Sequence, residues 1–327
     1  MPLPKTSLKF STQKQYTETS DLPAWQNTDV RSPDPYPTRL SRPPESLWLK
    51  RREKVVKGRD LPGPFTQAQL DEFEEKGFLF LPNFVSGKEL EGLREELRYL
   101  MRHEDYPGRD FSVTEPQGKE IRSLFAVHFL SERLSQLARD KRLTDRVEQI
   151  LGGEAYVHQS RINYKPGFAG KGFSWHSDFE TWHAEDGMPA MHAVSASLIL
   201  TDNHHFNGPL MLVPGSHKVF VPCLGETPQD NFRNSLKNQQ AGVPSNEALA
   251  QLIEAGGGID AATGDAGGLL LFDCNILHAS NANMSPDPRS NAFFVYNRLD
   301  NRCQKPFAAN QPRPRFLAHE PGESWRA

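Results

Sequence analysis

Cysteine is scarce in this sequence, with three residues in a chain of 327. Cys223, Cys274 and Cys303 are widely spaced and form no CxxC pair that could hold zinc or carry redox chemistry. We therefore expect three buried small hydrophobic residues in a protein of a reducing compartment.

Long apolar runs and a charge excess of one sign are also missing. No segment approaches the roughly 18 apolar residues of a membrane-spanning helix, and no long apolar stretch follows the charges near the N-terminus. The net charge is -3 and the pI is about 6.4, without a Lys/Arg cluster that would indicate nucleic acid or a membrane surface as a partner. The composition predicts a cytoplasmic protein with a small-molecule ligand.

Proline is concentrated at the start of the chain, where ten of the 26 prolines lie before residue 65. This part shows no sustained helical or strand period. We predict a flexible tail over residues 1–30 and one domain over residues 31–327, whose first segment, 31–64, is an extended arm lying over the domain.

Helical patterns occupy the next part of the chain. Thr66 and Gln69 have the spacing of a capping box, and Gly77 is placed to end the helix that follows. Ser86 and Glu89 predict a second capping box. A third single helix is predicted for SERLSQLARDKRLTDRVEQIL.

From Tyr156 onward, short apolar runs alternate with Gly, Pro and Asn turns. Many short strands separated by turn residues favour a β-barrel or sandwich over alternating βα units. A polar insertion over residues 223–262 contains one helical stretch, SNEALAQLIEAG. A long insertion in a β domain is often a lid, and we predict one here.

The segment FSWHSDFETWHAEDGMP carries the main chemical signal. On a strand, His176 and Asp178 would project from the same side, and His278 follows 100 residues after Asp178 near the end of another apolar run. Two histidines and one carboxylate on one face of an octahedron are typical of non-haem Fe(II) oxygenases. An isolated HxD is more often a surface histidine beside a solvated aspartate. The prediction of a metal site therefore depends on His278 as the third ligand.

Arg289 lies eleven residues beyond His278, where a returning strand could direct its guanidinium into the barrel. A guanidinium suits a carboxylate such as the distal one of 2-oxoglutarate, because it binds side-on through two hydrogen bonds. Taken alone, an arginine in SPDPRS is a surface-turn residue.

The segment FSWHSDFETWHAEDGMP, with HQSRINYK before it and NGPLMLVPGSHK after it, resembles the phytanoyl-CoA dioxygenase superfamily and, within it, the ectoine hydroxylases. The resemblance runs from about residue 34 to about residue 316. It implies a mainly β fold with flanking helices around a double-stranded β-helix (jelly-roll, cupin-like) core. It also implies an Fe(II)- and 2-oxoglutarate-dependent dioxygenase that uses O2 to hydroxylate ectoine, a compatible solute of the stress response, to 5-hydroxyectoine. A homodimer is compatible with this interpretation.

Carried over residue by residue, the resemblance implies three sets of site residues. The iron ligands are His176, Asp178 and His278. The 2-oxoglutarate site contains Lys165, Arg289, Ser280 and Asn163. The ectoine site contains Gln159, Trp182, Ser197, Phe293 and Arg313.

The chemistry of ectoine, a ring with a carboxylate and an amidinium cation, agrees with these residues. Trp182 and Phe293 can supply an aromatic face for the cation, and Gln159 or Arg313 can donate to the carboxylate. Aromatic residues are, however, more often simply part of a core. Other histidines of the same half are interpreted as non-ligands, namely His158, His183, His204, His205 and His217.

Two other functions remain open at this stage. A sister 2-oxoglutarate hydroxylase acting on another small zwitterion, such as an amino acid, would share the iron site and differ in Gln159, Trp182 and Arg313. A non-catalytic β-barrel binding protein would keep the same residues for structural reasons, but the combination of a metal carboxylate and Arg289 disfavours it.

Overall fold

The computed structural model describes residues 34–115, 120–237 and 239–322. The predicted tail over residues 1–30 lies outside the described residues. No helix in the described part of the chain is long and apolar enough to cross a membrane.

Helices flank the domain, and strands form its centre. The helices are α1 Gln67–Lys76, α2 Gly87–Arg102, α3 Val127–Leu130, α4 Glu132–Ala138, α5 Lys141–Leu151, α6 Asp178–Thr181, α7 Phe232–Ser235 and α8 Asn246–Ala255. The strands are β1 Leu49–Lys50, β2 Phe78–Leu81, β3 Ser112–Thr114, β4 Ile121–Phe125, β5 Ala155–Lys165, β6 Phe173–His176, β7 Ala193–Ile199, β8 Leu210–Leu212, β9 Val219–Phe220, β10 Asp260–Ala261, β11 Leu269–Asp273, β12 His278–Ser280 and β13 Arg289–Arg298.

The chain passes back and forth between two antiparallel sheets. The larger sheet has the order β2-β11-β7-β13-β5-β4-β3, and the smaller has the order β10-β8-β12-β6. From β5 to β13 the strands alternate between the sheets, apart from β9 and from the pairing of β10 with β8. This is the double-stranded β-helix that the resemblance implies, and the prediction of a barrel or sandwich is confirmed.

Strand periodicity divides the buried residues between the two faces of the larger sheet. Ala292 and Phe294 of β13 belong to the core formed with the flanking helices, whereas Phe293 belongs to a second apolar cluster with Leu212 and Phe272. Successive side chains of a strand point to opposite faces, so this second cluster fills the space between the sheets. The rest of that space is free for polar side chains.

Residues 34–64 pack on the domain as an extended arm. β1 pairs with β9, and Leu40 forms an isolated parallel bridge with Leu224. Tyr36 is fully buried in an apolar cluster. Two arm arginines make ion pairs inside the protein, Arg39 with Glu180 and Arg51 with Asp273, so the arm is bound by buried charges as well as by strand pairing.

Three helical predictions meet different outcomes. The capping box of Thr66 and Gln69 is present, and Gly77 ends α1 in the left-handed conformation, as predicted. Ser86 precedes α2, but its side chain makes no capping hydrogen bond, so the second capping box is wrong.

The predicted third helix is two helices, α4 and α5. Asp140 accepts a hydrogen bond from the Arg142 N–H and starts the second one, because a short polar side chain at this position satisfies a backbone donor that a helix start leaves free.

Candidate active site

Two histidines and an aspartate meet between the sheets at one end of the smaller sheet. His176 ends β6 and His278 begins β12, and the two residues are direct cross-strand partners. Asp178 lies next to them, with Oδ1 3.7 Å from His176 Nε2 and Oδ2 4.0 Å from His278 Nε2. One ligand atom from each residue lies within 4.8 Å of the other two, so a single metal ion can contact all three.

Backbone carbonyls orient both imidazoles. His176 Nδ1 lies 2.7 Å from the carbonyl oxygen of Ser174, and His278 Nδ1 lies 3.1 Å from that of Ile276. When Nδ1–H donates to the carbonyl, the proton is held on that nitrogen and the lone pair of Nε2 faces Asp178. Burial, with His176 nearby, lowers the pKa of His278 to about 4, so this imidazole is neutral and able to bind a metal at neutral pH.

The route that brings Asp178 to this place differs from the prediction. The strand ends at His176, and Ser177 caps the short helix α6, in which Asp178 is the first residue. The argument from strand alternation is therefore wrong, although the two side chains do lie side by side. The Ser177 hydroxyl accepts from the Glu180 N–H, which turns the chain out of the strand.

Asp178 is prepared to act as an anionic ligand. Burial alone would raise its pKa, yet His278, His176 and Arg161 together hold the pKa below its usual range. Asp178 Oδ2 is buried and has no hydrogen-bond partner among the described residues. A buried carboxylate oxygen without a partner is costly unless a cation fills the place, so the three residues fit a metal ion that accepts nitrogen and oxygen ligands.

The cleft beside this cluster encloses about 870 Å³ of space between the sheets and the adjoining solvent. Besides the three clustered residues, it is lined by Ser123, Phe125, Gln159, Arg161, Asn163, Phe173, Thr181, Trp182, Leu210, Ser235, Leu236, Gln239, Ala279, Ser280, Arg289, Phe293 and Arg313.

One end of the cleft contains a buried cation with an open partner position. Arg289 is 3% exposed, donates through Nη2 to the carbonyl of Gly208, and has no hydrogen bond at Nε within the described residues. Burial and the neighbouring Arg122 lower the pKa of Arg289 to about 9. The buried Ser280 hydroxyl likewise has no partner there, and Asn163 lines the same cleft. An anionic ligand would satisfy these donors.

Lys165 lies next to Arg289 as its cross-strand partner but is not among the residues that line the cleft. Its ammonium group donates to the carbonyl oxygens of Lys171 and Asn281. Burial, together with Arg289 and Arg122, lowers the pKa of Lys165 to about 6. Lys165 therefore lies behind Arg289 and adds positive potential to the cleft when it is protonated.

Four of the five predicted ectoine residues line the cleft. Gln159 donates to the carbonyl of Leu317, and Arg313 pairs with Asp186. Trp182 is 2% exposed and contacts the ring of His158 edge-on. Phe293 also lines the cleft, but the Arg161 guanidinium already lies 4.7 Å above its ring. Trp182 is therefore the better aromatic face for a substrate cation.

Ser197 is the exception among the predicted ectoine residues. It is not among the lining residues, although it pairs across the sheet with Phe293. Its hydroxyl accepts a hydrogen bond from Asn291 Nδ2 within the sheet.

Arg161 was missed by the sequence-based interpretation. Its guanidinium lies 4.0 Å from Asp178 Oδ2 and 2.5 Å from Gln159 Oε1. The signal was present, because Gln159, Arg161 and Asn163 alternate along β5 and all line the cleft. Only the packing of β5 against the smaller sheet shows which of its two faces is turned to the cleft.

The interpretation of the other histidines agrees with their surroundings. His183 is fully buried between Met188 and Asp34, and His217 contacts the carbonyl of Glu74. His158 is buried beside Asp186, and His204 and His205 are exposed. None of the five lies in the metal cluster.

Comparisons with known proteins agree with this geometry. The family model described as phytanoyl-CoA dioxygenase (PhyH) matches residues 73–291. The ectoine dioxygenase of Halomonas elongata is 67% identical over 325 residues, covering 99% of this chain and 96% of that protein.

Two solved structures of EctD from S. alaskensis are similar to the whole domain. One contains 2-oxoglutarate and 5-hydroxyectoine, with 43% identity and a TM-score of 0.79, covering 88% of this chain and 95% of that one. The other contains bound Fe, with 43% identity and a TM-score of 0.77, covering 87% of this chain and 94% of that one.

Proposed function

The chain belongs to the phytanoyl-CoA dioxygenase family, and on that premise we propose that it is an Fe(II)- and 2-oxoglutarate-dependent dioxygenase that hydroxylates ectoine. The products are 5-hydroxyectoine, succinate and CO2. The observation that carries the proposal is one cleft with a His-Asp-His cluster and, beside it, the buried guanidinium of Arg289 without a carboxylate partner among the described residues. The similarity to ectoine dioxygenases supplies the substrate.

His176, Asp178 and His278 would hold the iron. When bound, iron and 2-oxoglutarate supply the oxidising power with which O2 hydroxylates an unactivated C–H bond. Three protein ligands would leave room beside the ion for the cosubstrate. The Nδ1 contacts of both histidines hold their imidazoles in the orientation that a metal ion requires.

Arg289 binds the distal carboxylate of 2-oxoglutarate, with Ser280 and Asn163 as further hydrogen-bonding groups. Lys165 lies behind them and adds a second positive charge when it is protonated. The unpartnered Nε of Arg289 and hydroxyl of Ser280 support this assignment. These groups orient the cosubstrate toward the metal cluster, because Ser280 follows His278 by two residues on β12.

Ectoine occupies the part of the cleft lined by Gln159, Trp182 and Arg313. Trp182 offers its ring to the amidinium cation, and Gln159 and Arg313 donate to the carboxylate. Phe293 closes the apolar side of the cleft beneath Arg161. Ser197 supports this wall from β7.

The insertion over residues 223–262 covers this site as a lid. Ser235, Leu236 and Gln239 line the cleft, which supports the assignment. By excluding water, such a wall strengthens the electrostatic contacts of the bound ligands. We further propose a cytoplasmic location, since the three cysteines are free. The homodimer stays a prediction.

The function is tested by anaerobic reconstitution with Fe(II) and 2-oxoglutarate, followed by O2 with ectoine or proline. We expect succinate in equal amount to an ectoine product that has gained one oxygen atom, with little product from proline. Succinate without oxygenated ectoine would favour a sister hydroxylase of another small zwitterion. A complete lack of succinate would contradict the iron site itself.

Replacement of Arg289 by alanine should raise the KM for 2-oxoglutarate by about 30-fold or more. A buried guanidinium paired to a carboxylate contributes at least about 2 kcal/mol to the free energy of binding. Initial rates of succinate formation at varied 2-oxoglutarate measure the effect. Arg298→Ala is the matched control, since Arg298 lies at the other end of β13 and pairs with the exposed Asp300. An unchanged KM in Arg289→Ala would remove Arg289 from the cosubstrate site.

A further inference from the structure

A buried carboxylate lies behind the arginine of the ectoine site. Asp186 is 1% exposed and ends the π-helical turn Trp182–Asp186. It binds Arg313 side-on, with Nε to Oδ1 at 2.8 Å and Nη2 to Oδ2 at 2.6 Å. Arg313 and Asp186 come from segments 127 residues apart, so the pair joins the C-terminal segment to the helical turn that follows Asp178.

His158 holds Asp186 from a second direction. Its Nε2 lies 3.2 Å from Asp186 Oδ2, and both side chains are fully buried. The backbone carbonyl of His158 accepts a hydrogen bond from the His319 N–H, and Gln159 donates to the carbonyl of Leu317. Two hydrogen bonds therefore join β5 to the C-terminal segment that contains Arg313.

The side-on pair decides which edge of the guanidinium is free. Arginine has five N–H donors in a rigid plane, and Asp186 takes the Nε hydrogen and one Nη2 hydrogen. Both Nη1 hydrogens and the second Nη2 hydrogen are left for another acceptor. Since Arg313 lines the cleft, this second edge is the one that a ligand carboxylate can meet.

We propose that Asp186 is a positioning residue that fixes the orientation of Arg313, and so determines where the carboxylate of the substrate binds, with His158 holding Asp186 in turn. The inference rests on the proposed function and deepens it. Selectivity for a ring that bears a carboxylate then depends on Asp186, which is not among the residues that line the cleft.

Asparagine at position 186 separates this role from simple packing. Asp186→Asn keeps the size of the side chain but has one acceptor oxygen and an amide donor. The amide would face one of the two arginine donors, so the side-on pair cannot form. The guanidinium is then free to turn, and ectoine meets it in several orientations rather than one.

The test measures dissociation constants by calorimetry under anaerobic conditions, with protein loaded with Fe(II) and 2-oxoglutarate. The two probes are ectoine and its carboxylate-free analogue, 2-methyl-1,4,5,6-tetrahydropyrimidine. In Asp186→Asn we expect the Kd for ectoine to rise about 10- to 100-fold, as misplacement of a binding group commonly does, while the Kd for the analogue changes less than about twofold. Asp300→Asn, an exposed aspartate paired with Arg298, is the matched control and should leave both values unchanged.

An equal change in Kd for both probes would overturn the proposal, because it would indicate a general loss of structure. An unchanged Kd for ectoine would also overturn it. If Asp186→Asn does not fold, His158→Leu replaces it, since that change leaves the ion pair and removes one partner of Asp186. A rise for ectoine alone again supports the proposal, and no rise contradicts it. Wild-type protein that binds ectoine but forms no hydroxyectoine would contradict the proposed function and leave this binding test valid.

Discussion

Alanine in place of Asp178 should abolish formation of both succinate and hydroxyectoine, with a loss of at least about a thousandfold. The change removes the only carboxylate of the His176–Asp178–His278 cluster and leaves two imidazoles beside the guanidinium of Arg161. A divalent ion would then lose its charged ligand. Anaerobic titration with Fe(II) should show a correspondingly weaker affinity, which separates loss of metal from loss of chemistry.

Asp265→Ala is a suitable control for this variant, because Asp265 is exposed and lies outside the cleft. It should bind Fe(II) and form product like the wild type. Retention of full activity by Asp178→Ala would remove Asp178 from the metal site and with it the main support for the proposed function.

Removal of the Arg39 side chain should have a large effect on the stability of the fold. Arg39 donates from Nε and Nη2 to the two carboxylate oxygens of Glu180, and Nη2 also contacts Glu185. The side chains of Arg39 and Glu180 are each 1% exposed. Arg39→Ala would leave Glu180 buried without its counter-charge, and we expect the free energy of unfolding to fall by about 3–5 kcal/mol. Urea unfolding followed by circular dichroism measures it.

Two further variants show whether the burial of the charge is the cause. Arg142→Ala removes an arginine that is 47% exposed and pairs with Glu89 and Asp140, and it should cost less than about 1 kcal/mol. Arg39→Met combined with Glu180→Leu removes both charges of the Arg39–Glu180 pair and leaves only Glu185, which keeps its hydrogen bond from Asn231, so it should be less destabilising than Arg39→Ala alone. A double variant as unstable as the single one would indicate lost packing of the arm instead.

The same ion pair has a structural consequence for the site. Glu180 and Glu185 lie on the helical segment that begins with Asp178, and Asn231 of the 223–262 insertion donates to Glu185. One buried network therefore connects the arm, the helical segment that begins with Asp178 and the insertion that lines the cleft. The sequence does not reveal the partners of Glu180, Glu185 and Asp186, because the arginines that pair with them are far away along the chain.

Local sequence patterns were enough to predict helix ends that depend only on neighbouring residues. The capping box of Thr66 and Gln69 and the end of α1 at Gly77 were predictable because both are set within a few residues. Ser86 shows the limit of such rules. It has the same spacing to Glu89 but makes no capping bond, so the pattern permits a cap without requiring it.

The sequence by itself determined the class of fold and the chemical identity of the site. Short strands with turn residues predicted the β domain, and the HxD motif, the distant His278 and Arg289 predicted an iron and 2-oxoglutarate site through their residue types and the family resemblance. Only the tertiary structure decided how these groups are arranged. The pairing of β6 with β12 brings His176 and His278 together, and the end of the strand at Ser177 turns Asp178 toward them. The buried partners of Arg39 and Arg313 also follow from packing, because an ion pair between distant segments depends on which surfaces meet and leaves no periodic signal in the chain.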